Sequence, residues 1–489
     1  MVLAMKFFRV PLFVASLMLP AFSVEKPNII LVMTDDQGYG DVAAHGHPFL
    51  KTPNLDALHE KSVRLTDFHV SATCAPTRAG LMSGMSPFKV GVTHTVLERE
   101  RMALGYETVA DVLKSVGYTT GIFGKWHLGD ADEYQPDQRG FDEVFIHGAG
   151  GIGQRFPGTQ GAVPGTGYFD PIIRHNGGFV KTEGYCTDVF FQQALGWMKE
   201  KSDRKEPFFA YIPTNAPHSP FIAPKEYSSM YDGDEPNKKS SIFFGMISNI
   251  DDNMGLLMKK LADWKIEENT LLIFMTDNGS ARGAPVFNGG MNGKKGSMHE
   301  GGSRVPFFWY WKGRHEGGKA VDTMARHIDL LPTLAEVTGA ELPKKNEAEG
   351  RSLYGLIEGK TMEWDHRYFF FHSGRWAPLR EMKKNPDMTP PNPDDFKDKT
   401  YAVRDEKWRL VEGRLYDLEV DPGEKMDVAA KHPEVVAKMK AAYDVWWKES
   451  RKGMVNEAAD LKTGKPFVEA FEKQKAAGGI PVWRNPAIE

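Results

Sequence analysis

The chain has 489 residues, enough for one large domain and a smaller one with an ample core. Its 61 basic residues nearly balance 65 acidic ones, which argues against a nucleic-acid or membrane-surface partner recognised through bulk charge. The 49 glycines and 31 prolines predict many structured loops.

In chain order the first feature is a leader. Lys6 and Arg9 precede an apolar run from Pro11 to Phe22, and Ala21-Phe22-Ser23 offers small residues at cleavage-site spacing. This pattern predicts a secretory signal peptide over residues 1–23. The run is short for a bilayer span and none like it follows, so no stable membrane insertion is expected. The mature chain reads as secreted or periplasmic.

Four apolar runs have the length and β-branched content of buried parallel strands, and each stops at polar residues. NIILVMT (28–34) meets Asp35-Asp36, TTGIFG (119–124) meets Lys125-Trp126-His127, FFAYIPT (208–214) leads to His218, and LLIFMT (271–276) meets Asp277-Asn278. Helical patterns near 54–62, 107–117, 187–201 and 241–264 separate them. Alternation of this kind predicts an α/β fold, with a large, mostly parallel sheet sandwiched by helices. Ligands bind such sheets beyond the carboxyl ends of the strands, so all four polar clusters would face one crevice.

The two acidic pairs bring three carboxylates and an amide oxygen, hard ligands suited to Ca²⁺ or Mg²⁺ rather than zinc. Packed together without a cation, the carboxylates would repel. The chain has two cysteines, Cys74 and Cys186, and export permits them to pair. Cys74 also opens CAPTRAGLMSG, where Pro76 suits the first turn of a helix. The free N–H groups there favour an anion, and Arg78, one turn further in, can grip two oxygens through its fork.

These residues resemble the formylglycine-dependent (type I) sulfatases of the alkaline phosphatase superfamily, a group that includes the arylsulfatases. The likeness rests on C-A-P-T-R followed by AGLMSG, on PNIILVMTDDQGYGD at 27–41, GKWHLG at 124–129 and APHSPF at 216–221. It continues with TDNG at 276–279 and GKKGSMHEGGSRVP at 293–306. The resemblance implies that a maturation enzyme oxidises Cys74 to formylglycine before the chain folds. The thiol would then be a precursor kept out of disulfides, and Cys186 a buried, unpaired apolar residue.

The resemblance also implies site roles. One Ca²⁺ would be held by Asp35, Asp36, Asp277, Asn278 and an oxygen of modified Cys74. The aldehyde would hydrate, and one hydroxyl, acidified by the metal and Arg78, would attack sulfur while the alcohol leaves. The second hydroxyl would then expel sulfate. His127 matches the residue that takes a proton from that hydroxyl. His218 and Lys295 match the pair that binds sulfate and protonates the leaving oxygen, and Lys125 would neutralise a sulfate oxygen. Lys294 is the alternative to Lys295, which directly precedes Gly296 as in the family. His94 and His299 are candidate substrate-pocket residues. IHGAGGIGQ (146–154) lacks a serine that some members place there to contact the nucleophile.

Beyond residue 340 the motifs stop. Short strand-like pieces at 367–372, 400–405, 407–412 and 413–421, then an amphipathic helix at 431–450, predict a C-terminal α+β subdomain with a small antiparallel sheet. The expected division is a catalytic α/β domain at 24–365 and this subdomain, with a polar tail, at 366–489. Residues 382–399 are rich in proline and charge and read as an exposed loop, either rimming the cleft or merely solvated. The last forty or so residues read as an ordered strap or a frayed end.

The function implied is that of an exported sulfuric ester hydrolase acting on sulfated carbohydrate or aryl sulfate, with a sulfated polysaccharide or oligosaccharide as partner. The competing readings are a phosphate or phosphonate ester hydrolase of the same superfamily, and a catalytically silent binder of sulfated glycan.

Overall fold

A computed structural model describes residues 26–233 and 238–489, so the expected signal peptide lies outside the described residues. The strands in chain order are β1 (Asn28–Thr34), β2 (Val63–Leu65), β3 (Phe68–His69), β4 (Thr119–Lys125), β5 (Glu143–His147), β6 (Ile172–His175), β7 (Gly178–Lys181) and β8 (Phe208–Pro213). They continue with β9 (Thr270–Thr276), β10 (Phe307–Trp311), β11 (Ala320–Val321), β12 (Ala325–Arg326), β13 (Phe369–His372), β14 (Tyr401–Arg404), β15 (Trp408–Val411) and β16 (Arg414–Asp417).

Ten strands form one sheet in the order β11-β2-β10-β9-β1-β8-β4-β5-β6-β7. The central run β9-β1-β8-β4-β5 is parallel, whereas β10 pairs antiparallel with β9 and β6 pairs antiparallel with both β5 and β7. Alternation along β1 explains why its run from Ile29 to Met33 is apolar throughout. Ile29, Leu31 and Met33 enter the core on one face, and Ile30 and Val32 enter the core on the other. β9 does the same with Leu271, Ile273 and Met275 against Leu272 and Phe274. A strand buried on both faces has no polar side, and each such side chain contributes about 1.5–3 kcal/mol.

The helices fall near their predicted places, at Pro53–Lys61, Val109–Ser115, Cys186–Asp203 and Lys238–Asp263. The second starts late because Thr108 and Asp111 form a capping box that fixes its first turn. Cys186 is buried at the start of its helix and is unpaired, as is Cys74. The β6–β7 hairpin turns through Asn176 (φ 47°) and Gly177 (φ 87°), the pair that favours a tight primed turn.

A four-stranded antiparallel sheet, β13-β14-β15-β16, carries the helix Pro433–Ser450. Tyr443, Trp446 and Trp447 on that helix pack against Phe88, Tyr401 and Leu415. Buried charge clamps this sheet to the larger part of the molecule. Glu300 (2 % exposed) accepts from Arg404 Nε at 2.9 Å and pairs with Arg409 Nη1 at 2.5 Å, and Arg404 reaches Asp67 at 3.0 Å. Burial pushes the Glu300 carboxyl upward, but Arg404 and then His69 outweigh it, so its pKa falls below the usual carboxylate range. This contribution to stability is present above about pH 4.3 and fades as pH falls toward the lower folded value. Glu300→Ala is expected to destabilise the protein by about 3 kcal/mol, because it strips a buried arginine of its nearest partner. Chemical denaturation of the variant checks this, and an unchanged midpoint would refute it.

One segment differs from expectation, and for another the structure chooses between two readings. Within 382–399, Met382 is buried in a short helix, Leu379–Lys384, against Val96, Leu97 and Leu461. Met382 and Met388 on this satellite core, with Phe396 on the core of the smaller sheet, pin a stretch whose composition reads as solvated. The tail is a strap: Phe467 and Phe471 pack edge-on against Phe179, and Trp483 N–H donates to the Lys181 carbonyl along β7. It covers the outer edge of the large sheet, which removes an exposed edge strand.

Candidate active site

The carboxyl ends of β1, β4, β8 and β9 converge as parallel pairing demands, and the helix Cys74–Ser83 points its N-terminus at them. All ten residues of that helix are buried. Cys74 is its first residue and is 2 % exposed on the floor of a cleft of about 330 Å³. His94, His127, His218 and Lys295 line the same cleft. His299 does not. Its Nδ1 sits 3.0 Å from Glu424 instead.

Three cations at the cleft floor are each matched to a carboxylate. Lys125 Nζ lies 2.5 Å from Asp35 Oδ2, and Lys295 Nζ lies 2.5 Å from Asp36 Oδ1. Arg78 closes its fork on Asp277 Oδ2, with Nη2 at 2.7 Å and Nε at 3.2 Å, while Nη1 donates to the Lys125 carbonyl at 2.8 Å. The fork of Arg78 holds this acid in place. Asn278 Nδ2 donates to Asp36 Oδ1 at 3.0 Å, and the Asp36 N–H donates to Asp277 Oδ1 at 3.1 Å.

The donor set fits a hard divalent cation. Side-chain atoms of Asp35, Cys74 and Asp277 lie within 4.8 Å of one another, and so do those of Asp35, Asp36 and His218. Asp35 Oδ1 and Asn278 Oδ1 are buried and accept no hydrogen bond, so two oxygens are left bare in the middle of the acids. Burial, then the neighbouring Asp277 charge, holds the Asp35 carboxyl well above its usual range despite Lys125. That is the signature of a site short of positive charge.

Burial favours the neutral form of His218 and His127. Burial first, then Lys295, pushes His218 down to about 3, and burial followed by Lys125 pushes His127 well below its usual value. His218 Nδ1 donates to the Ser219 carbonyl at 2.6 Å, which leaves Nε2 turned toward Asp36 at 3.9 Å. His127 Nε2 donates to the Thr95 carbonyl at 2.8 Å, which leaves a buried Nδ1 lone pair without a partner. Asp36 (φ 72°) and His127 (φ 61°) both hold left-handed backbone. Strain of this kind costs about 1–3 kcal/mol each and persists where the surroundings dictate the geometry.

Gly150, in the segment without the serine, lies flat against the His127 ring. A Cβ there would sit 2.2 Å from Nε2. Gly150→Ala is expected to displace the imidazole and lower kcat by about a hundredfold with little change in unfolding temperature. Steady-state kinetics with a thermal melt would test it, and an unchanged kcat would show that the ring is not part of the reaction.

Sequence reasoning missed Gln154, Phe156, Leu97, Arg375 and Leu379, which also line the cleft. They lie on loops or, for Leu379, at the start of a short helix, with no motif of their own, so only the folded chain places them.

The parallel core with acids and bases gathered at one end of its strands defines a doubly wound α/β protein whose chemistry sits in a single crevice. Residues 27–340 match the family described as Sulfatase, and residues 292–446 match N-sulphoglucosamine sulphohydrolase, C-terminal. The chain belongs to the sulfatase family, in the alkaline phosphatase superfamily, and is a sulfuric ester hydrolase. It is 31 % identical to Arylsulfatase A of Bos taurus over 382 residues, covering 71 % of this chain and 70 % of that protein. It is 29 % identical to N-acetylgalactosamine-6-sulfatase of Homo sapiens over 370 residues, covering 72 % and 69 %. Among solved structures it resembles Ps i-CgsB in complex with k-i-k-neocarrahexaose, with a TM-score of 0.75, 27 % identity, and coverage of 88 % of this chain and 94 % of that one.

Proposed function

We propose that the protein removes sulfate from sulfated carbohydrate after export, using a formylglycine made from Cys74 by a maturation enzyme and one calcium ion. The ligands would be Asp35, Asp36, Asp277, Asn278 and residue 74. The observation that carries this reading is the unpaired Cys74 at a helix N-terminus, beside a buried acid cluster with two bare oxygens. The names of the relatives and of the carbohydrate bound in the similar structure support the substrate class. In this reading residues 24–365 form the catalytic unit and residues 366–489 complete it.

When bound, the ion would supply positive charge for a sulfate oxygen and for the nucleophile, and the hydrated aldehyde would supply the nucleophilic oxygen. The chain's own residues do the remaining work. Lys125 and Lys295 bring fixed charge to the rim of the acid cluster, where a sulfate would add negative charge. Arg78 orients Asp277, and the helix N-terminus adds donors beneath residue 74. His127 can take a proton at its bare Nδ1. Lys295, whose ammonium form is favoured by Asp36 against burial, holds the proton that passes with His218 to the leaving oxygen.

The deciding experiment is peptide mass spectrometry on the tryptic fragment 65–78 from protein produced with a maturation enzyme, coupled to an aryl sulfate assay. An aldehyde in place of the thiol, together with sulfate release, is the expected result. An intact thiol in active protein would overturn the formylglycine reading.

A further inference from the structure

The cleft holds a cation that the reaction scheme leaves unused. Arg375 is exposed, lines the same cleft as Cys74 and Lys295, and has no carboxylate partner among the described residues. It comes from the turn after β13, so the smaller sheet delivers it to a site otherwise built by the larger one. Its guanidinium lies over Gly296, where an added Cβ would sit 3.2 Å from both Nη atoms, placing it directly beside the residue that follows Lys295.

The backbone beneath it is fixed. Gly374 has φ 64°, and a Cβ there would lie 1.7 Å from the Thr93 carbonyl, so the turn is pressed onto the loop that forms the opposite wall. Ser373 Oγ accepts the Arg375 N–H at 3.3 Å, and the Trp376 indole donates to Glu457 at 2.7 Å. The charge also faces His94, which burial first and Arg375 second push down to about 3. A rigid stem with an unpaired guanidinium is arranged to bind an anion with little loss of entropy.

The cleft also has an apolar part to its wall, with Leu97, Phe156 and Leu379. Leu97 (φ 65°) and its neighbour Glu98 (φ 63°) hold left-handed backbone that fixes the wall. The acids near the cleft floor are already tied to lysines, so none offsets Arg375. A sugar ring can rest on this wall with one sulfate at residue 74 and a second negative group reaching the guanidinium.

We propose that Arg375 is a specificity-determining residue that reads a second anionic group, a sulfate or a carboxylate, on the sulfated carbohydrate. The proposal rests on the hydrolase reading of the same cleft. Matured, calcium-loaded protein is assayed on 4-methylumbelliferyl sulfate and on matched disaccharides carrying one sulfate, two sulfates, or one sulfate and one carboxylate.

The expected result is a kcat/KM at least about tenfold higher for a doubly anionic disaccharide than for its singly sulfated counterpart. Arg375→Ala should shrink that ratio about ten- to a hundredfold, mainly through KM, and Arg375→Lys should restore part of it. Whichever doubly anionic member loses its advantage identifies the group as sulfate or carboxylate. A ratio near one in the wild type, a ratio unchanged in Arg375→Ala, or turnover of the aryl sulfate with no disaccharide would each overturn the proposal. Matured protein inert toward every sulfate ester, the aryl one included, would instead overturn the reading of the cleft itself.

Discussion

Cys74→Ala is expected to abolish sulfate-ester turnover, by about 10⁴-fold or more, while leaving the fold intact. Alanine keeps the helix start and removes one sulfur atom from a buried position, so the melting curve should move little. Nothing nearby replaces the lost group. The other cysteine opens a helix packed into the core on one face of the sheet and is buried there. The hydroxyl that remains in the cleft lining, Thr95, is bonded to the His94 imidazole at 3.3 Å. Cys74→Ser makes the companion variant, since a hydroxyl restores size and polarity without the aldehyde. A Cys74→Ala protein that still released sulfate at a tenth of the wild-type rate would place the nucleophile elsewhere.

Asp277→Ala is expected to cost at least about a thousandfold in kcat/KM and to reduce bound calcium from about one ion per chain to near zero. It should also destabilise the protein by about 3–5 kcal/mol, because Arg78, 1 % exposed, loses the carboxylate its fork closes on. Stability loss alone could lower activity, so Asn278→Ala separates the two effects. Its amide oxygen accepts no hydrogen bond in the protein, and removing it leaves no buried charge behind. Calcium content and activity should therefore fall in Asn278→Ala with a much smaller shift in unfolding. Elemental analysis after dialysis decides: full calcium in either variant refutes the ligand set. In the wild type, chelation should lower the melting temperature, since an ion that binds only the native state stabilises it by mass action.

Much of the catalytic region was legible because its signals are local. β1, β8 and β9 are buried at every residue and carry continuous apolar runs, and a strand buried on both faces announces itself without knowledge of its neighbours. The acids and histidines stand directly after those strands, so finding the strands located them. β6 and β7 carried a readable Asn176-Gly177 turn, but their four-residue length hid them. β5 and β10 were missed for a related reason: β5 has only three apolar residues between Glu143 and His147, and a cluster of bulky aromatics in β10 reads equally as helix or strand.

The sequence by itself determined the parallel core, the buried helix that opens at Cys74, and the oxygen-rich residues at the strand ends, because each follows from the order of side chains within a dozen positions. The tertiary structure alone decided how those residues pair. Arg78 turns to Asp277, 199 positions away, and Lys125 to Asp35, 90 positions away. It also decided that Arg375 enters the cleft from the smaller sheet and that the tail seals the far edge of the large one. Such contacts depend on which loops the packed core brings together, and the energy of a buried charge depends on the burial that packing creates, which no local pattern encodes.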